Sequence, residues 1–181
     1  MIDAFKYALS KTLKWEGGYQ ANPNDPGNYN QNKELVGTNH GISATVLEEH
    51  LMRPVTVEDM KGLSVDVAAE IYKTYWQSIR GDEITDHRVA ALIFDMAVNH
   101  GVASAVRLIQ RVMGLRSDGH MGPMTLSWIN GADAEGLIKK AVAARIALYE
   151  RIIARRPAMR VFRRGWLRRA GDFAVVNPTA F

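Results

Sequence analysis

Glu16, Asp25 and Thr38 have the residue types and chain order from which acid–base chemistry can be built. Phe5, Leu9, Thr12 and Glu16 recur along one stripe of an amphipathic helix read over residues 4–16, which points the Glu16 carboxyl at a partly apolar interior. Desolvation and the negative end of the helix dipole would both disfavour its charged form, the condition a general acid needs near neutral pH. The alternative is a helix-end carboxylate held by an arginine. Asp25 follows nine residues later in Asn24-Asp25-Pro26-Gly27, where a loop could present a second carboxylate across a cleft. Paired carboxylates of unequal pKa are the apparatus of glycoside hydrolysis, although Asp-Pro-Gly is also a plain turn signal. The Thr38 hydroxyl could orient an attacking water, cap the next helix or close a turn.

Tyr19, Tyr29, Tyr72, Tyr75 and Trp76 could stack on sugar faces, while the helical spacing of Tyr72 and Trp76 favours core packing. Asn39 and His40, beside Thr38, are further candidate sugar contacts, and so is Asn99. Asn99 and His100 equally suit a helix end. Asp95, on a helix that reads as buried, calls for a hydrogen bond or an ion pair. The histidines at 40, 50, 87, 100 and 120 form no His-Glu-x-x-His pattern. Neither a phosphate-cradling glycine loop nor a Gly-x-Ser-x-Gly elbow occurs, so no metal and no cofactor is expected.

The elements that must position these groups read as helices almost throughout. After 4–16 come Ser43–Met52, a short helix opened by the capping-box pattern from Thr56, and Ser64–Ser78. Asp86–His100 is apolar on more than one side, which marks a central buried helix. Val102–Met113, a helix starting at Pro123, Asp133–Arg155 and a basic helix Val161–Ala170 complete the series. Gln20–His40 is the exception. It is rich in Asn, Pro, Gly and Asp, and pieces such as Glu34-Leu35-Val36 could form a small hairpin. The expectation is a mainly α protein in two lobes, 1–95 and 96–181, with a small hairpin or irregular loop at the active-site cleft.

With 181 residues, 47% hydrophobic and 23% charged, the chain suits a compact domain rather than a disordered tail. No apolar run reaches the roughly 18–20 residues of a membrane span. No cysteine is present, which excludes disulfides and thiolate chemistry. Residues 1–150 hold 15 Lys/Arg against 18 Asp/Glu, whereas 151–170 hold eight arginines and no acid. That segment suits an anionic partner such as an envelope surface, or is a solvated arginine face. Phe162 and Trp166, four apart, suggest that one side of it docks on the body. The N-terminus carries no signal-peptide pattern. A protein made in the cytoplasm without one would reach the periplasm through a holin-type lesion or dedicated export.

Trp15-Glu16-Gly17-Gly18-Tyr19, Asn24-Asp25-Pro26-Gly27 and Gly37-Thr38-Asn39-His40-Gly41-Ile42-Ser43, in that order, resemble the signature of glycoside hydrolase family 108. Similarity continues through Tyr72–Trp76 and Phe94–Gly101. Leu115–Thr125 is similar to the peptidoglycan-binding half that follows in this family. The family comprises bacterial and phage peptidoglycan hydrolases, including endolysins and secretion activators. The resemblance implies a lysozyme-like fold, Glu16 as catalytic acid, and N-acetylmuramidase cleavage of the glycan strand. The Glu–Asp–Thr order, also similar to phage-type lysozymes, implies roles for Asp25 and Thr38. Here Asn28–Val36 lengthens the loop, so Thr38 reaches the site only if that stretch folds back, which would bring Tyr29 to the cleft border. The expected partner is peptidoglycan, the expected state a monomer, and no specific nucleic acid is expected. A non-catalytic peptidoglycan-binding or secretion-assisting protein is the alternative. A salt-sensitive nucleic-acid binder, suggested by the arginines alone, is a third reading.

Overall fold

A computed structural model describes residues 3–174 of the chain. The described residues form a mainly α structure with isolated antiparallel bridges in place of a sheet. The helices are α1 (Ala4–Leu13), α2 (Ala44–Leu51), α3 (Val57–Lys61), α4 (Val65–Ser78), α5 (His87–His100), α6 (Val102–Val112), α7 (Pro123–Gly131), α8 (Ala134–Arg155) and α9 (Arg163–Asp172). Side-chain caps set many of their starts. Asp3 accepts from Lys6 N, Asp86 from Arg88 N and Val89 N, and Asp133 from Gly136 N. Thr56 and Asp59 close a reciprocal capping box on α3. Pro123 occupies the first turn of α7, where its missing N–H costs nothing.

The chain divides into two compact units. One is Leu9–Thr74; the other joins the described residues of Met1–Ala8 and of Tyr75–Phe181. These boundaries fall within α1 and α4, whereas the lobes read from the sequence part at 95/96. Residues 175–181 of the second lobe lie outside the described residues.

One boundary differs in a way that matters. The helix read over 4–16 stops at Leu13, and Trp15 N and Glu16 N bond back to Thr12 O and Leu13 O in tight turns. Glu16 therefore sits on a bend, half-buried, and not on the apolar stripe of a continuing helix. Gly17-Gly18 follows with no side chain to hold a further turn, so the chain unwinds a turn earlier than its apolar spacing suggests.

In the larger unit α5 is the centre, with every residue from Val89 to Ala97 buried. A helix apolar on all sides must be enclosed on all sides. Phe5, Trp76 and Phe94 pack mutually at ring separations of 5.7, 5.8 and 6.0 Å, and Trp76 satisfies its indole N–H on Asp82. The polar exception is Asp95, which is fully buried. Arg169 of α9 donates through Nε and Nη2 to its carboxylate at 3.0 and 2.8 Å, and Arg145 of α8 forms an ion pair with it at 2.7 Å. Arg145 is itself 0% exposed; its Nε donates to the Tyr149 hydroxyl, and its guanidinium lies over the Tyr149 and Phe173 rings. Tyr149 stacks on Trp166 at 4.9 Å, and its hydroxyl donates a hydrogen bond to Asn99 Oδ1. Burial, and then the Arg145 charge, push the His100 imidazole down to about 4, so this neighbour stays neutral. Arg169 is thus a core residue, although the sequence groups it with a run of solvated arginines.

Replacing Asp95 by alanine leaves two buried guanidinium groups facing each other with no carboxylate between them. We expect a loss of about 3–5 kcal/mol in urea unfolding. A loss below about 1 kcal/mol would mean that water already screens the triad.

Candidate functional site

The Leu9–Thr74 unit holds Glu16, Asp25 and Thr38 together with Tyr19, Tyr29, Asn39 and His40. Their framework is the polar stretch after Gly18, which folds back on itself. Gln20 and Thr38 exchange both backbone hydrogen bonds, at 2.9 and 2.8 Å, and a second bridge joins Tyr29 to Leu35. At the tip, Asn30 receives Glu34 N on its Oδ1 and donates Nδ2 to Glu34 Oε2 and Val55 O. The buried Glu48 carboxylate accepts from Gln31 N and Val55 N. The lengthened loop 28–36 is therefore a pinned irregular hairpin, and it delivers Thr38 beside Gln20.

The hairpin turns on one buried amide. Asn28 Oδ1 accepts from Gln20 Nε2 and from the Thr38 hydroxyl at 3.0 and 2.9 Å, while Nδ2 donates to Gln20 Oε1 and Asn22 O. The Asn28 carbonyl also receives Val36 N and Gly37 N. Gln20 Nε2 donates in turn to Thr38 Oγ1. The Thr38 proton is therefore committed to Asn28, and its remaining lone pair can accept a hydrogen from water. That is the polarity needed to hold a water whose oxygen attacks elsewhere.

Asp25 caps the 3₁₀ turn Pro26–Asn28, with Oδ1 accepting from Gly27 N at 2.9 Å. Among the described residues its second oxygen has no partner. The turn reading of Asn-Asp-Pro-Gly and a half-buried carboxylate thus coexist in one residue.

Glu16 is held from the other side. Gly41 has φ +74°, and a Cβ there would lie 2.5 Å from Glu16 Oε2 and 2.7 Å from the Tyr72 hydroxyl oxygen. The carboxylate and the phenol therefore share the space that a side chain at 41 would fill. Tyr72, buried on α4, donates its proton to His40 O at 2.8 Å and fixes this turn against the helix. On the Asp25 side, a Cβ on Gly27 would meet Asp25 Oδ1 and Ser43 Cβ at 3.2 and 3.6 Å. The three residues Gly41-Ile42-Ser43 thus run from the Glu16 carboxylate toward the Asp25 turn.

The remaining candidates divide. Tyr19 is half-buried, donates to Val36 O and packs on Gly37, with the Lys61 ammonium 5.4 Å from its ring centre. Tyr29, also half-buried, ties its hydroxyl to Pro23 O. Asn39 is buried, with its amide donating to Met60 O and accepting from His40 N, so it shapes the turn. His40 is half-exposed and holds a left-handed backbone, with φ 49°. Asn99 belongs to the other unit and accepts from Tyr149. Sequence reasoning missed Gln20 and Asn28. No periodicity flags an amide whose partners are brought together only by the hairpin, and the Asn-rich composition was the sole signal.

Comparisons with known proteins bear on both parts of the chain. The family model described as "Glycosyl hydrolase 108" matches residues 9–101, and that described as "Predicted Peptidoglycan domain" matches residues 104–171. A solved structure titled "Structure of Brucella abortus SagA" is 29% identical, with TM-score 0.75 over 94% of this chain and 91% of that one. The curated proteins contain no significant match. The fold is therefore the mainly α, lysozyme-like one expected from the sequence.

Substituting Gly41 by alanine places a methyl group against the Glu16 carboxylate and strains a left-handed turn. If Glu16 is the reacting group, the expected result is a folded protein whose hydrolytic turnover drops by about a hundredfold, the cost of a misplacement near ~1 Å. Turnover within a few-fold of wild type, measured on purified substrate, would show that Glu16 need not rest against residue 41.

Proposed function

The chain belongs to the glycosyl hydrolase 108 family, and on that premise we propose that this peptidoglycan hydrolase is an N-acetylmuramidase with Glu16 as its general acid. The bond cut is the β-1,4 linkage from N-acetylmuramic acid to N-acetylglucosamine. The observation that carries the reading is the seat of Glu16. Its carboxylate is half-buried, packed against the bare Cα of Gly41, and bounded by the Tyr72 hydroxyl. A carboxyl confined in this way meets a glycosidic oxygen from one direction, which is what proton donation to a leaving group requires.

In the proposed reaction Glu16 gives its proton to the bridging oxygen as the C–O bond breaks and positive charge builds at the anomeric carbon. Asp25, through the oxygen that Gly27 leaves unengaged, stabilises that charge or takes a proton from the attacking water. Thr38 holds the water by accepting one of its hydrogens. Water then supplies the hydroxyl of the new reducing end, and Glu16 recovers its proton from solvent. By analogy with phage-type lysozymes, we assign inversion. Half-exposed Tyr19, Tyr29 and His40 border the strand, while Asn28, Gln20 and Asn39 position the groups that touch it.

We assign cutting to the lobe 1–95 and wall recognition to 96–181. The second lobe offers a groove of about 290 Å³ floored by Val112, Met113 and Leu137, edged by Asp133 and Lys140, and walled by the half-exposed Trp128. An exposed indole over an apolar floor suits a sugar face. The setting we propose is lysis from within by an endolysin-type enzyme that crosses the inner membrane through a lesion or dedicated export.

Glu16→Gln keeps size and hydrogen bonding but removes the proton. We expect it to fold, to bind insoluble peptidoglycan as wild type does, and to hydrolyse it about 10²–10⁴-fold more slowly. Equal hydrolysis by both proteins would remove Glu16 as the acid. Binding by both with hydrolysis by neither would favour the non-catalytic reading.

A further inference from the structure

The arginine-rich segment is only partly explained by packing. Of its eight arginines, Arg169 is spent on Asp95 and Arg163 pairs with Glu150 at 2.8 Å. Arg151, Arg155, Arg156, Arg160 and Arg164 are exposed, and no acid occurs between residues 151 and 171. Amid them the 3₁₀ turn Pro157–Phe162 presents Val161 at 78% and Phe162 at 52% exposure, an apolar pair flanked by Arg160 and Arg163. The turn is not loosely hung. Phe162 stacks on Trp166, Trp166 stacks on Tyr149, and the Arg163–Glu150 and Arg169–Asp95 pairs tie α9 down on both sides of that stack.

We propose that this turn is a docking site for an anionic phospholipid bilayer, with Val161 and Phe162 entering the interface and the surrounding arginines contacting headgroup phosphates. Two features select a lipid surface over a bare polyanion such as nucleic acid. Charge alone would satisfy a polyanion, but exposing a valine and a phenylalanine at the apex gains nothing from phosphates in water. A bilayer interface rewards both at once, because apolar burial and attraction to anionic headgroups add. A rigid turn also presents the pair without first having to be ordered. Among the described residues no helix is long and apolar enough to cross a membrane, so the contact is peripheral. This inference does not depend on muramidase chemistry, since the segment shares no residue with the Glu16 site.

The test uses the full chain and three probes: vesicles of phosphatidylcholine, vesicles of equal parts phosphatidylcholine and phosphatidylglycerol, and heparin as a bare polyanion. Wild type should sediment with the mixed vesicles, less so as salt rises, and not with phosphatidylcholine alone. The double variant Val161→Ser, Phe162→Ser should bind mixed vesicles about tenfold or more weakly, with heparin affinity within about twofold of wild type. Because Phe162 stacks on Trp166, Val161→Asp alone serves as a second variant that leaves the stack intact. It should weaken vesicle binding in the same direction. Failure of wild type to bind the anionic vesicles, or vesicle binding by Val161→Asp equal to wild type, would overturn the proposal. So would a parallel fall in heparin and vesicle affinity for the double variant, which would point to a polyanion site. Hydrolysis of lipid-free peptidoglycan by the wild-type protein reports separately on the enzyme reading, through the Glu16 site with which the segment shares no residue.

Discussion

A side-chain amide has two donor and two acceptor positions, and the buried Asn28 uses all four within the hairpin. That one constraint fixes the framework of the candidate site. It pairs Asn28 with Gln20, orients the Thr38 hydroxyl and, through its carbonyl, anchors Val36 and Gly37. An unpaired amide here would cost about 1–3 kcal/mol for each group left unsatisfied, so the network is an all-or-none arrangement. The loop can be long and poor in apolar residues and still hold a hydroxyl in place.

The larger unit meets a similar demand with charge. Its central helix is apolar on every side except at Asp95, and that carboxylate draws one arginine from α8 and one from α9. Three charges in a dry core contribute little net stability compared with an apolar packing of the same volume. They do set which residue of the basic segment faces inward. Arg169 is consumed, the Trp166 ring is laid on Tyr149, and the turn with Val161 and Phe162 is left outward. One buried acid thus converts a featureless run of arginines into a surface with a defined apex.

Much of the architecture was legible in the chain because helices advertise themselves locally. The starts read at Thr56, Asp86, Pro123 and Asp133 lie within a residue of where the helices begin, and three of the four are side-chain caps. The error at α1 has a plain cause. Apolar spacing continues to Glu16, but the double glycine that follows gives the last turn nothing to hold it. The candidate site was legible as a set of residue types and not as an arrangement. Glu16, Asp25 and Thr38 stood out by type and order, yet what places them is long-range. Gly41 matters because Glu16 and Tyr72 converge on it, and Asn28 matters because Gln20 and Thr38 do. Asn39, read as a sugar contact, bonds Met60 O, a partner 21 residues away that no local pattern announces.

The chemistry of the new chain end reads directly which bond is cut. Purified peptidoglycan should be digested with the wild-type protein, reduced with borohydride, and the fragments identified by mass spectrometry. Cleavage on the muramic acid side leaves every new reducing end as N-acetylmuramitol. Ends recovered as N-acetylglucosaminitol, or as non-reducible anhydromuramic acid, would contradict the assignment. The first would indicate a glucosaminidase, and the second an internal attack by the sugar hydroxyl in which no positioned water takes part.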